Sequence, residues 1–334
     1  ETDAVLAAYG MPPPCEWAKP GSYIQPTVRH ELNIPRSKND VVLIPVGCTE
    51  LHGDHTVSAV DTLFVSQICE GVRRYMAKDG GSPPALAIPP LMYGAHPYHH
   101  IGMPGTVIVR DKIVVELLVD VMLGLWNDGW RKMIILNNHG QLWVLEEALH
   151  EFCKRYQLPG IYRVIDWHRA VREFFNTKDE GGKWDTNFVH ADESETSLGL
   201  YLFPEMVDMN YAVDASGISY LPDGHLDKSV DPFRRPCKWS EGEGHAAIEI
   251  TGTPEGVVGR ATVSDAEKAK RPLAAILRYL TLLVTEIIEA FPAGTVPPPE
   301  MTTLRSAEEM APYLKEPLSE GWKTVYGIPK IGQQ

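Results

Sequence analysis

An apolar run long enough to cross a bilayer as a helix, about 18 residues or more, is missing from the chain, so no membrane-spanning helix is expected. Positive charge is also scarce: 31 Lys and Arg stand against 44 Asp and Glu, a net charge of −13. A nucleic-acid or anionic-membrane surface needs clustered cations, so neither partner is expected. The five cysteines, Cys15, Cys48, Cys69, Cys153 and Cys237, are odd in number and form no C-x-x-C pair. Free thiols in a reducing, cytoplasmic compartment are the simplest reading. Cys48 reads as a small buried apolar residue, the usual habit of a free cysteine. The first thirty residues carry prolines and charges where a secretory leader would have an apolar segment, so no leader is expected there. Internal repeats and low-complexity segments are absent.

What is present is the material of a globular protein. With 334 residues, 44% hydrophobic and 22% charged, the chain can bury a sizeable core. Its pattern alternates. Val41–Val46 is an apolar run of strand length, and Asp61–Met76 reads as a helix. Ala85–Ile88 and Thr106–Val109 read as short strands. Lys112–Asn127 carries a helical stripe of Ile113, Leu117, Leu118, Val121, Met122 and Leu125. Lys132–Leu136 reads as a strand, Trp143–Tyr156 as a helix and Ile161–Ile165 as a strand. Continuous apolar strands alternating with helices imply an α/β fold: a single domain whose mostly parallel sheet is flanked by helices. From about 167 to 245 the pattern loosens. Ser264 and Glu267 then form a capping-box signature opening a helix to Ala290, which Pro272 is expected to kink or restart. The organisation expected is a domain over 38–293 between two arms, an irregular proline-rich one at 1–37 and one at 294–334 with a short helix near Ala307.

Ligands of parallel sheets gather beyond the carboxyl ends of the strands, and the polar motifs lie there. Glu50-Leu51-His52-Gly53-Asp54-His55 follows the first strand. Glu50 and His52, two apart on extended chain, project the same way, and Asp61 opens the next helix where it can turn back to them. Mixed carboxylate and imidazole donors suit Zn, Mn or Fe. Taken alone, the motif is equally a polar loop with Asp61 as a helix cap. Asn137-Asn138-His139-Gly140-Gln141 sets an imidazole just past the strand ending at Leu136, as a ligand, a catalyst or a structural histidine. His190-Ala191-Asp192-Glu193-Ser194-Glu195-Thr196-Ser197 is a dense ionisable cluster, or simply an acidic helix start favoured by the macrodipole. His96, His99 and His100 crowd ahead of Gly102-Met103-Pro104-Gly105-Thr106 and lean toward a site wall.

In this order, E-x-H-G-x-H, an aspartate eleven after the glutamate, P-G-T, N-x-H-G and H-A-x-E-x-E-T-S resemble the creatininase (creatinine amidohydrolase) family, from about Val41 to about Ala290. The resemblance implies a single α/β domain that commonly assembles as a hexamer and binds two divalent metals, Zn or Mn. Glu50 and His139 would hold one metal and His52 the other, with Asp61 bridging. Glu195 would complete the second, and His190 would be the catalytic histidine. Gln141, His96, His99, His100 and Glu193 are expected to touch substrate. Gln141 stands where creatininase itself has a carboxylate, Gly53-Asp54-His55-Thr56-Val57 replaces G-P-H-L-P, and His99-His100 replaces E-H. Those changes spare the expected ligands and argue against creatinine as substrate. The resemblance runs best to members that hydrolytically open an oxidised inositol ring. A cyclic-amide or formamide hydrolase is the alternative, and a metal-bearing sugar-binding protein without turnover is the reading from another class.

Overall fold

Pro45 sits inside the strand Val41–Val46 (β1), where it has no N–H to give the sheet. The carbonyls of Leu43 and Pro45 accept from Ala87 N and Leu91 N, so both residues face the neighbour Ala85–Leu86 (β2). The regular pairing with β2 ends at Leu43 and Leu86, so the proline's missing N–H falls just past the end of that ladder, on the side of Ala87. On its other side β1 pairs in full with Lys132–Asn137 (β3), from Val41 opposite Lys132 to Val46 opposite Asn137. Ile161–Asp166 (β4) completes a four-stranded, wholly parallel sheet in the order β2-β1-β3-β4. The computed structural model describes residues 23–87, 89–97, 103–219, 249–250, 252–298, 301 and 306–324.

Alternate residues of β1 feed opposite cores, which is why it reads as one unbroken apolar run. Val41 and Leu43 pack with Ile134 and Leu136 against Phe64 and Ile68 of the helix Val60–Met76 and against Leu198, Ile276 and Leu280. Val42, Ile44 and Val46 pack with Met133 and Ile135 against Leu118, Met122, Leu145 and Phe152. Call the helices α1 (Arg29–Lys38), α2 (Val60–Met76), α3 (Asp111–Asn127), α4 (Leu142–Tyr156), α5 (Glu193–Leu202) and α6 (Ala266–Ala290). Then α2, α5 and α6 cover one face and α3 and α4 the other. The chain winds one way from β1 to β2 and the other way through β3 to β4, so the strand order reverses between β1 and β3. That crevice, at the strands' carboxyl ends, is where a doubly wound sheet presents its ligand site.

Several expectations need correcting. The 1–37 segment is not irregular throughout: α1 forms despite Pro35. Its docking overrides the proline, with Leu32 buried in the second core and Asp128 paired to both Arg29 and Arg36. Thr106–Val109 is no strand. It runs extended, with Val107 N donating to Thr49 O and Val109 N to Gly94 O, and so tethers two loops at the site's rim. Asp265, not Ser264, caps α6 by accepting from Glu267 N, while Ser264 Oγ turns to Ala261 O. The helix continues unbroken past Pro272. A short helix, Ala307–Met310, lies in the tail where one is expected, with Ser306 and Glu309 in a reciprocal capping box. Among the described residues no helix is long and apolar enough to cross a membrane.

Candidate metal centre

Two close approaches build the site. Gly47 ends β1 so tightly against α2 that a Cβ there would lie 2.4 Å from Thr62 N. This brings Asp61, in the first turn of α2, back over the strand ends. Asp61 caps nothing: the N-cap is Ala59, without a side-chain bond. Gly53 has φ +68°, and a Cβ on it would meet the His55 ring, so the chain reverses there just after presenting His52.

The result is a cluster in which Glu50, His52, Asp61, His139 and Glu195 are all buried. His139 Nδ1 lies 2.9 Å from Glu50 Oε2 and 3.6 Å from Asp61 Oδ2. His52 Nε2 lies 3.7 Å from the same Asp61 oxygen and 3.4 Å from Glu195 Oε2. One carboxylate oxygen thus faces two imidazoles, each with a further carboxylate beside it. Backbone carbonyls fix both rings: His139 Nε2 meets Ala95 O at 2.8 Å, and His52 Nδ1 meets Glu50 O at 3.1 Å. A carbonyl only accepts, so those nitrogens carry the hydrogens and the opposite nitrogens are turned to the carboxylates. Such backing is the usual support of a metal-bound histidine.

The electrostatics suit a cation. Burial opposes charge on His52, but Glu195 and Asp61 more than offset it and lift its pKa to about 10. His139 is likewise raised to about 9, burial being outweighed by Glu50 and Asp61. Burial pushes Glu195 up, yet His52, His190 and the Ala191 N–H hold it well below the ordinary carboxylate range. Without a metal, protons must neutralise three buried carboxylates, and imidazolium does so here. A divalent cation fits the same positions. His55, by contrast, is driven down to about 4 by burial and by the charges of His52 and His190, and its Nε2 meets Thr196 Oγ1 at 2.8 Å.

The start of α5 orients the rest. Asp192 caps α5, accepting from Ser194 N and Glu195 N. Ala191 takes φ +44°, and its N–H donates to Glu195 Oε2 at 2.6 Å, so the strained turn aims that carboxylate. His190 lies against His52 with ring centroids 4.3 Å apart. Its Nε2 meets Leu51 O at 2.6 Å, and its Nδ1 is 3.7 Å from Glu50 Oε1.

Of the residues expected to touch substrate, His96 is buried with its ring centroid 4.5 Å from that of His139, while His99 and His100 lie outside the described residues. Two others are engaged within the protein. Gln141 is fully buried and its amide is committed within the protein: Oε1 accepts from Ala95 N, and Nε2 donates to Gly47 O and Asn137 Oδ1. Glu193 is fully buried too, accepting from Asp185 N and Thr186 N and pairing with Lys268. Both tie loops together.

Sequence reasoning missed Asn138, whose Nδ2 donates to Asp61 Oδ1 and, at 2.9 Å, to Glu195 Oε1. It also undervalued Cys48, whose thiol donates to Asp61 Oδ2 at 2.9 Å. The signal for Cys48 was its spacing, since Cys48, Glu50 and His52 are two apart on extended chain and share one side.

Comparison with known proteins converges. The family model described as creatininase, creatinine amidohydrolase, matches residues 29–284. The 3-dehydro-scyllo-inosose hydrolase of Thermotoga maritima is 44% identical over 306 residues, covering 92% of this chain and 96% of that protein. A solved structure described as creatininase Mn superposes with a TM-score of 0.60 at 22% identity, over 81% of this chain and 99% of its own. A mutant creatininase of Zn-Zn type gives 0.59 at 23% identity, over 82% and 100%.

Proposed function

The chain belongs to the creatininase family of metal-dependent hydrolases, and from that premise we propose that it is a dinuclear enzyme opening 3-dehydro-scyllo-inosose or a closely similar cyclic 1,3-dicarbonyl. The observation that carries the dinuclear part is the single Asp61 oxygen facing His139 and His52 at 3.6 and 3.7 Å. Glu50 and His139 would hold one ion and His52 and Glu195 the other, with the Asp61 carboxylate placed between them. Zinc and manganese forms among the creatininase structures support those two metals as candidates. The close relative from Thermotoga maritima supports the substrate.

Metals held there supply Lewis-acid polarisation of a carbonyl and lower the pKa of water from near 16 to about 7. The chain's own residues do the rest. Hydrolysis of a 1,3-dicarbonyl adds water to one carbonyl and breaks the bond to the carbon between the two. The electron pair leaves as an enolate on the second carbonyl, and that carbon then takes a proton. His190, beside Glu50 and His52, is placed to take the proton from water and return it to this carbon. Leu51 O holds its Nε2–H, so Nδ1 is the atom that exchanges the proton.

Assay of purified protein with oxidised inositols and with cyclic amides, zinc and manganese each supplied, tests the reading. Turnover of the cyclic diketone supports it. Turnover of a cyclic amide alone moves the assignment to the amidohydrolase branch, and metal binding without turnover of either makes the protein a binder. The free thiols Cys48, Cys69 and Cys153 support a reducing, cytoplasmic setting, and homo-oligomeric assembly belongs to the same reading.

A further inference from the structure

Resting on the dinuclear reading above, we infer that Cys48 and His96 close the first metal position. Beside the Asp61 oxygen it shares with its neighbour, that position then has four protein ligands of its own, Cys48, Glu50, His96 and His139. The position on His52, Asp61 and Glu195 is the open one that meets substrate.

The four side chains are all buried, and their ligand atoms lie within 4.8 Å of one another. The second set, His52, Asp61 and Glu195, meets the same criterion separately. Gln141 explains how the first set is held. Its Nε2 donates to Gly47 O, on the residue before Cys48, at 3.1 Å. Its Oε1 accepts from Ala95 N, on the residue before His96, at 3.0 Å. His139 Nε2 meets Ala95 O as well. One amide and one imidazole therefore lock the Cys48 and His96 segments to the end of β3.

The donor atoms are prepared for a cation. His96 Nδ1 meets Gly94 O at 3.1 Å, which puts the ring hydrogen on Nδ1 and the lone pair on Nε2. Cys48 Sγ is 2.9 Å from Asp61 Oδ2 and 3.8 Å from Glu50 Oε2, so its hydrogen points among the carboxylates a metal would join. A coordinated thiol gives up that hydrogen and binds as thiolate.

Two consequences follow. A soft thiolate with two imidazoles favours zinc, whereas one imidazole with two carboxylates accepts zinc or manganese, so the two positions differ in metal preference. Four protein donors make a closed site, and three leave room for substrate. His190 lies against His52, a ligand of the open position, with ring centroids 4.3 Å apart, which sets the proton carrier beside the exchangeable ion.

The test is chelator-stripped full-length protein reloaded with Co(II). The wild type is expected to bind two equivalents and to show a thiolate-to-cobalt charge-transfer band in the near ultraviolet. Cys48→Ser abolishes that band while visible cobalt bands from the nitrogen and oxygen site persist, and its preference for zinc over manganese falls at least tenfold. His96→Ala loses about one equivalent. If Cys48→Ser fails to fold by circular dichroism, the wild-type spectrum still decides. Two equivalents bound without the band overturn the inference and leave the dinuclear reading standing. Cobalt binding unchanged in both His139→Ala and Glu195→Ala overturns the reading beneath it.

Discussion

Trp167 Nε1 donates to Asn138 Oδ1 at 2.5 Å, and that bond decides which end of the Asn138 amide faces the carboxylates. With Oδ1 held by the indole, Nδ2 is left to bind Asp61 and Glu195 together. Asn138 thus fixes the spacing between the Asp61 and Glu195 carboxylates. Asn138→Asp would replace the donor with a third carboxyl group and should weaken metal affinity about 10–100-fold, read by chelator competition. Trp167→Phe keeps the bulk and loses only the N–H, so a smaller loss is expected, about fivefold or roughly 1 kcal/mol. Equal affinity in both variants and the wild type would assign the pair to packing alone.

His52→Ala and His139→Ala should each lose one metal and nearly all turnover while keeping a folded chain, because both side chains sit beyond strand ends rather than in the two apolar cores. Metal content by elemental analysis, set beside the far-ultraviolet spectrum, checks this. Full occupancy in either variant removes that histidine from the ligand set.

Metal uptake should depend on pH. In the metal-free protein His52 is lifted to about 10 and His139 to about 9, so binding between pH 6.5 and 9 must expel their protons. Apparent affinity should rise with pH by about tenfold per unit for each proton released, and level off above those values. The metal-free stability has the opposite slope. A histidine raised on folding stabilises fully below its unfolded pKa of about 6.5, and that contribution is lost as pH climbs through 9 to 10. Thermal melts of chelated protein should therefore fall over this window, while melts of loaded protein stay flat.

Assembly is open to sedimentation. Ile113 and Leu117, one turn apart on α3, are each 43% exposed, and Trp143 of α4 is 38% exposed. Apolar groups left in water at this level are suited to a subunit interface. A species larger than a dimer is expected at micromolar concentration. A monodisperse monomer would refute it.

The sheet was legible in the sequence because β1 and β3 bury both faces, which writes a continuous apolar run; the stripe on α3 was only half legible, since Leu118, Met122 and Leu125 are buried as expected but Ile113 and Leu117 are exposed while Val114, Val115 and Val119 are buried. Asp61 and His139 could be read from their places just past strand ends. What could not be read depends on tertiary docking. The helix at Arg29–Lys38 forms against Leu32's pocket and Asp128, neither visible locally beside Pro35. Glu193 and Glu195 sit two apart in one motif, yet the turn at Ala191 sends Glu195 to the histidines while Glu193 goes to Lys268. No sequence spacing distinguishes them. Gln141 is a related case: a polar residue beside a ligand looks like a substrate contact until its partners are known.

Gln141 makes the sharpest test of that reading. If its amide held substrate, Gln141→Ala would raise KM and leave stability unchanged. In the structure the amide satisfies Ala95 N, Gly47 O and Asn137 Oδ1 in a fully buried position. Truncation leaves buried polar groups without partners, each costing about 1–3 kcal/mol, so the loss should appear first in the unfolding free energy. It should also loosen the Cys48 and His96 segments, lowering kcat and metal affinity more than it changes KM. Gln141→Glu is the harsher change. It sets an acceptor against Gly47 O and Asn137 Oδ1, where the amide had donated, and places a charge in a fully buried position. Urea unfolding should therefore rank the proteins wild type above Ala above Glu. A KM rise with unchanged unfolding free energy in Gln141→Ala would return this residue to the substrate.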